Sequence, residues 1–340
     1  MKLDTQLRDF DFAQIGVQAR RLEAMGFDGL WTFESNHDPF LPLALAAQAT
    51  QRIGLGTNIA VAFARSPFAT ALAAWDLQRG SGGRFRLGLG TQVRAHVERR
   101  FSAAFERPAE RVKDCIRCIR AIWETFQTDA KPAYKGEFYQ FTLINPFFNG
   151  GPIAHPAIPI YLAGVNPAMC RAAGEVADGF AVHPFHSVGY LREVVRPHLD
   201  EGARLSGKTV DALDLYAPVF AVSGDTQAEI DRAAEEVRRQ IAFYASTPNY
   251  RHVLDFHGFG ALGEELSAMA RRGDWEGMPG RVTDQMVQLF SLVAPPGELA
   301  GALRKRYAGL LGRVALYFPI AADDAGTRWR TFTQQFRGAA

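Results

Sequence analysis

The feature that most restricts this chain is an alternation of strand and helix signals that runs along its whole length. Short runs rich in Val, Ile, Leu and Phe fall at Lys2–Leu7, Phe27–Phe33, Arg52–Val61, Arg84–Leu89, Ile158–Ala163, Gly179–Val182, Leu213–Val222 and Arg313–Phe318. Between them apolar residues step by three and four, the helical period. Phe12, Ile15, Ala19 and Leu22 do so before Gly26, and Val112, Cys115, Ile119, Ile122 and Phe126 do so after Pro108. Further helices are predicted from Pro67 to about Arg79, over Pro167–Ala177, Val188–Leu205 and Thr283–Leu292. Parallel strands need a crossover between them, so eight such repeats predict an α/β fold closed into a (β/α)8 TIM barrel. An open doubly wound sheet would alternate in the same way, but its first turn calls for GxGxxG. No such motif is there, and Gly88-Leu89-Gly90 is a bare GxG inside a strand pattern.

A length of 340 residues suits one barrel domain spanning 1–340, with an apolar fraction of 47% able to fill its core. Periodicity lapses over about 127–157, and about 224–280 reads as helices broken at Pro248, Gly258 and Gly273; both are read as inserted excursions on the barrel, the first rather than as a linker. Thirty-eight basic residues against 36 acidic ones leave a formal charge of +2, too small to point to a nucleic-acid partner. Lys2, Asp4, Arg8 and Asp9 interrupt the amino-terminal segment, so neither a secretory leader nor a membrane span is expected there. Three cysteines, an odd number in a long chain, predict a reduced, cytoplasmic protein without a disulfide framework. Cys115 and Cys118 form a CxxC, but in mid-helix, away from the amino end that lowers a thiol pKa, and so read as packing.

The segment Arg84–Thr91, preceded by Gly82, Gly83 and by Arg65-Ser66-Pro67, resembles the hallmark region of the luciferase-like flavin and deazaflavin oxidoreductases. The likeness extends to Met25-Gly26-Phe27-Asp28, Ile53–Thr57, the Ala163, Gly164, Asn166, Pro167 corner and Ala177-Asp178-Gly179. It implies a bacterial luciferase-type barrel, usually a homodimer, that holds FMN or a deazaflavin at the carboxyl ends of its strands. Within that family the chain is more similar to the deazaflavin branch. The implied activity is hydride transfer between coenzyme F420 and an organic substrate such as an alcohol/ketone pair or an activated alkene. The alternative is an FMN-dependent monooxygenase that consumes oxygen and takes reduced flavin from a partner reductase.

Candidate site residues follow from strand exits and from that resemblance. At Gly164, Val165 and Asn166 a strand runs into a helix that Asn166 can cap and Pro167 can open, leaving amide groups suited to a phosphate. An ordinary capped helix would look the same, and the resemblance is what adds the cofactor. It likewise implies a non-prolyl cis bond between Asn58 and Ile59 backing the ring, with Thr91 at the next exit. Arg65, Arg94 in the basic run with His96, Arg99 and Arg100, and Arg281 are candidate cations for the phosphodiester and oligoglutamate tail of F420. Phe40 and Phe63, with Phe147 and Phe148, are expected to line an apolar substrate pocket together with His183. His183 and His186 lack companions for a metal site, and none is predicted. His37, in the turn after the second strand, is the candidate acid or base, because relatives of this type place a histidine there. The companion acid of those relatives does not carry over: the matching stretch reads Thr91-Gln92-Val93, with Glu98 several residues late.

Overall fold

The computed structural model of the protein describes residues 1–7, 10–318 and 326–338; Arg8 and Asp9, read above for their charge, lie outside them. Eight strands form the barrel: β1 Lys2–Gln6, β2 Gly29–Thr32, β3 Gly54–Thr57, β4 Phe85–Gly90, β5 Ile160–Gly164, β6 Gly179–Val182, β7 Asp214–Val222 and β8 Arg313–Leu316. Each pairs in parallel with the next in chain order, and β8 returns to β1 with Arg313 opposite Lys2 and Ala315 opposite Asp4. The ring is therefore closed, and no barrel strand is left with an open edge.

Around it lie α1 Phe12–Met25, α2 Leu41–Ala49, α3 Pro67–Gly80, α4 Pro108–Thr128, α5 Pro167–Val176, α6 Arg196–Leu205, α7 Gln227–Ala245, α8 Pro296–Tyr307 and α9 Thr327–Arg337. Their starts are chemically marked. Asp11, Ser66 and Asn166 accept first-turn amides of α1, α3 and α5, and Thr226 with Glu229 makes a capping box on α7. Cys115 and Cys118 lie buried in α4, where desolvation pushes their thiols up to about 12 and about 11.

Several predicted boundaries shift. The strand expected over Arg52–Val61 stops at Thr57, turns at a cis bond between Asn58 and Ile59, and resumes as Ala60–Val61 beside β4. The helix expected over Val188–Leu205 carries a π turn at Leu191–Val195. That expected over Thr283–Leu292 ends at Phe290, and Ser291–Val293 becomes a short parallel strand beside the end of β7. Helices α2, α8 and α9 have no counterpart in the sequence reading. The segment LPLALAAQA of α2 is apolar all round and so shows no stripe, while Gly297 and Gly301 break the pattern of α8. The first excursion carries a small hairpin, Tyr134–Lys135 with Gln140–Phe141, and the second carries α7 with helices Arg251–Phe256 and Gly260–Arg271.

Side chains alternate along each strand, and here the two sets have different chemistry. The outward set, such as Leu30, Phe85, Leu87, Leu89 and Phe180, joins the large apolar core under the helices. The inward set packs Trp31, Tyr161, Ala181, Tyr216 and Ala315 into a second cluster in the barrel interior. The Trp31 indole stacks on Tyr216 at 4.7 Å and meets Tyr161 edge-on at 5.5 Å. It fits because β3 offers a glycine: a Cβ on Gly56 would stand 2.4 Å from the indole.

Toward the amino ends of the strands the interior turns ionic. Arg313 donates from Nε and Nη2 to the two carboxylate oxygens of Asp4, each at 2.7 Å, and Trp31 Nε1 donates to Asp4 at 2.8 Å. The side chains of Arg313 and Asp4 are 1% and 0% exposed. Removing one partner strands the other in a medium that cannot solvate it, at a cost of about 3–5 kcal/mol, whereas an apolar pair of similar volume is close to neutral. Arg313→Met is therefore expected to lose about 3–5 kcal/mol in urea unfolding, and Asp4→Leu/Arg313→Met to recover most of that loss; a double variant no better than the single one contradicts this account.

Candidate active site

Where the strands end at their carboxyl termini, the inward-facing set continues as Gln6, Asn58, Gly90, Ala163, His183, Pro218 and Tyr317, and these form the floor of a cavity of about 570 Å³. Its position follows from barrel geometry, since the aromatic layer fills the interior beneath it and the loops after the strands wall it above. One wall is mostly backbone: Asn58-Ile59, Gly90-Thr91 and Gly164-Val165-Asn166. The facing wall is aromatic, with Phe243, Tyr244 and Tyr250 supplied by the second excursion and Tyr317 by the end of the eighth strand.

Interlocked polar contacts hold the backbone wall. Asn58 donates its amide to the Thr32 carbonyl at 2.6 Å, and Glu34 donates its own to the Ile59 carbonyl at 3.0 Å. The Glu34 carboxylate accepts from the Val61 amide and from Arg65 Nη1, both at 2.7 Å. Arg65 Nη2 reaches Asp38 at 2.8 Å, and Asp38 in turn accepts the amides of Phe40 and Leu41 at the start of α2. Burial opposes the Arg65 charge, but the two carboxylates outweigh it and raise its pKa.

His183 is the most constrained side chain of the cavity. Its Nδ1 accepts the Phe185 amide at 3.1 Å, which puts the ring proton on Nε2. Tyr250 stacks on it at 4.3 Å and Tyr244 meets it edge-on at 4.5 Å. Desolvation, and then the neighbouring His186, push its pKa down to about 3, so the ring is neutral at ordinary pH. Behind it His186 is buried, donating from Nδ1 to the His183 carbonyl at 2.7 Å and accepting the Tyr307 hydroxyl on Nε2 at 2.9 Å. Its pKa is pushed down to about 4, mainly by desolvation.

The residues singled out from the sequence divide into two groups. Asn58, Ile59, Thr91, Gly164, Val165, Asn166 and His183 line the cavity together. His37, Arg65, Arg94, Arg281, Phe40 and Phe63 do not. His37 is exposed, its ring stacked on Phe10 at 4.7 Å. Arg65 acts on the wall through Glu34. Arg94 pairs with Glu98 one helical turn on, and Arg281 pairs with Glu265 away from the cavity. Phe40 and Phe63 are corrected from pocket to core: each is buried, beneath the guanidinium of Arg65 and of Arg111 respectively. Phe147 and Phe148 pack edge-to-face on each other in the exposed first excursion. From the basic run it is His96 and Arg100 that reach the cavity, as does Glu34 at the polar exit of the second strand; Gln6 and the tyrosines were not selected by the strand-exit argument. Counting in twos from Asp4 or Tyr161 would have found Gln6 and Ala163.

The two depressed histidines predict acid sensitivity. Below their unfolded pKa of about 6.5 the unfolded chain takes up protons that the folded chain refuses, so acid favours unfolding. Stability is expected to fall as pH drops from about 6.5 toward about 4, and His186→Gln to flatten that part of a melting-temperature profile. A wild-type profile that is level between those limits overturns the assignment.

Comparison with known proteins agrees with this architecture. Residues 2–313 match the family model described as luciferase-like monooxygenase. The chain is 44% identical over 324 residues to the uncharacterized protein Rv1360 of Mycobacterium tuberculosis, covering 95% of each. It is 28% identical over 322 residues to the 5,10-methylenetetrahydromethanopterin reductase of Archaeoglobus fulgidus, covering 93% of this chain and 92% of that one. Among solved structures, the coenzyme F420-dependent tetrahydromethanopterin reductase of Methanopyrus kandleri superposes with a TM-score of 0.80 over 99% of this chain and 98% of its own, at 22% identity, a likeness of fold. A closed parallel barrel with its cavity at the carboxyl ends of the strands, matched by the family model over residues 2–313, makes this chain a member of the luciferase-like monooxygenase family, whose oxidoreductases use flavin or deazaflavin.

Proposed function

We propose that this protein is a coenzyme F420-dependent oxidoreductase that moves hydride between the deazaflavin and a small organic substrate, an alcohol/ketone pair or an activated alkene. The observation that carries the reading is the asymmetry of the cavity, a backbone wall of Asn58-Ile59, Gly90-Thr91 and Gly164–Asn166 facing a wall of aromatics and one neutral histidine. The likeness over nearly the whole chain to the tetrahydromethanopterin reductase that is itself coenzyme F420-dependent supports the deazaflavin.

The residues present fit such a group. The stretch Gly90-Thr91 beside Ile59 offers a wall with little side-chain bulk, suited to a flat heterocycle. At the start of α5, Asn166 takes up the Met169 amide and Pro167 has none, leaving the Ala168 amide for a phosphate at the positive end of the helix. His96 and Arg100 stand at the edge where an acidic tail would leave. When bound, the coenzyme supplies or accepts the hydride. The protein's own part is to orient and to exclude water. His183, neutral and protonated on Nε2, donates a hydrogen bond to the substrate oxygen as charge develops there, and the aromatic wall keeps the site dry. Exposed His37, outside the cavity lining, is left without a part in the transfer.

Absorbance titrations with F420 and with FMN test the cofactor. Saturable binding of F420 is expected, and tight binding of FMN with none of F420 overturns the reading in favour of the monooxygenase. In a screen of secondary alcohols and enones, His183→Phe is expected to cut turnover by about 10²-fold with coenzyme affinity within several-fold, and His37→Asn to cost less than about threefold. The opposite ranking returns the catalytic role to His37.

A further inference from the structure

The barrel has a second cavity, of about 420 Å³, at its other end, where the strands begin. Five cations line it, Lys2, Arg52, Arg84, Arg86 and Arg337, against only two carboxylates, Glu23 and Asp28. Two of the cations are already committed. Arg84 spends its guanidinium on the carbonyls of Ala47, Thr50, Ile53 and Ser81 and on the Thr50 hydroxyl, bracing the loop before β3. Arg337, at the end of α9, donates to Asp28 and to the Gly26 carbonyl. The carboxylates are committed as well. One oxygen of Glu23 accepts the amides of Gln51, Arg52 and Ile53, and Asp28 accepts the Leu3 amide.

The side chains of Lys2, Arg52 and Arg86 remain, and among the described residues none of them is hydrogen-bonded or ion-paired, although the Arg52 charge lies near enough to Glu23 to help lower its pKa. Arg86 is the informative one. It projects from the inward face of β4, and its head lies over Gly54, where a Cβ would stand 2.3 Å from Nη1. A half-buried guanidinium without a counter-charge, beside two further cations, is a costly arrangement that an anion relieves. The planar fork of Arg86 suits two oxygens of one tetrahedral group, and Lys2 and Arg52 can meet the rest of its charge.

We propose that this amino-end cavity is an anion site for a phosphoryl group, separate from the cavity at the carboxyl ends and closed off from it by the aromatic layer of Trp31, Tyr161 and Tyr216. An occupant would tie the starts of β1, β3 and β4 to α9 and stabilise the fold by mass action.

Calorimetric titration of the whole chain with orthophosphate and, separately, glycerol 3-phosphate, at constant ionic strength, tests this. Saturable binding at one site is expected, weakened at least about tenfold by Arg86→Gln and by the exposed double change Lys2→Ala/Arg52→Ala. Tighter binding of orthophosphate identifies the free ion as ligand, and tighter binding of the ester identifies a phosphorylated metabolite. A phosphate effect no larger than that of chloride, or equal affinity in both variants with their melting temperatures unchanged, overturns the proposal.

Discussion

The structure depends on closing its ring, and the ion pair between Asp4 and Arg313 stands at the closure. These residues lie at the two ends of the chain's fold, on β1 and β8, and the same carboxylate also takes the Trp31 indole proton from β2. Across the barrel Tyr161 on β5 donates to Asp214 on β7 at 2.6 Å, and Asp214 is 3.9 Å from the remaining nitrogen of Arg313. Burial acts against the Arg313 charge, but Asp4 more than compensates and raises its pKa, while the Tyr161 hydroxyl is pushed up by burial and by Asp214. Five of the eight strands thus meet in one polar layer. Charge is tolerated so deep because Asp4 and Arg313 are paired through two hydrogen bonds, with only Nη1 of Arg313 left without one, and because Gly29, where a Cβ would stand 2.7 Å from Asp4, leaves room for the pair.

That layer and the aromatic one above it determine where chemistry can occur. Trp31, Tyr161 and Tyr216 fill the middle of the barrel, so a ligand entering from the carboxyl ends meets a floor. Loops that would otherwise be free are pinned above the floor by Glu34, Arg65 and Asp38, which join the segments after β2 and β3. Arg65, expected to hold a cofactor directly, contributes by keeping Glu34 and hence the Asn58–Ile59 segment in place. The second excursion closes the other side by delivering Tyr244 and Tyr250 against His183.

The alternation of elements was legible because its determinants are local: apolar runs at strand length, prolines at the first positions of α3, α4 and α5, and the Asn166 cap. What was illegible is the direction in which side chains point. Phe40 and Phe63 have the composition of pocket walls, but each packs in the core beneath an arginine. Arg94 and Arg100 are equivalent in a basic run until the helix Arg94–Arg99 turns the first toward Glu98 and leaves the second at the cavity. His37 and His183 both follow strands. The turn after β2 swings His37 outward onto Phe10, whereas His183 holds the next inward position after Ala181.

The electrostatics of the carboxyl-end cavity bear on which coenzyme it suits. His183 is held neutral by burial among tyrosines, so it contributes no charge to the floor of the site. Arg100, beside His96 on the edge formed after β4, is then the cation of the lining among the described residues. The Arg100 guanidinium lies over the Phe101 ring at 4.5 Å and has one donor 3.4 Å from the Ser35 carbonyl, an arrangement that leaves its other N–H groups for an incoming anion. The helix start at Asn166 belongs to a separate corner, after β5. A cofactor with one phosphate has use for one of these two positions. A deazaflavin with both a phosphodiester and an acidic tail has use for both, which adds to the asymmetry of the cavity walls in favour of the deazaflavin reading.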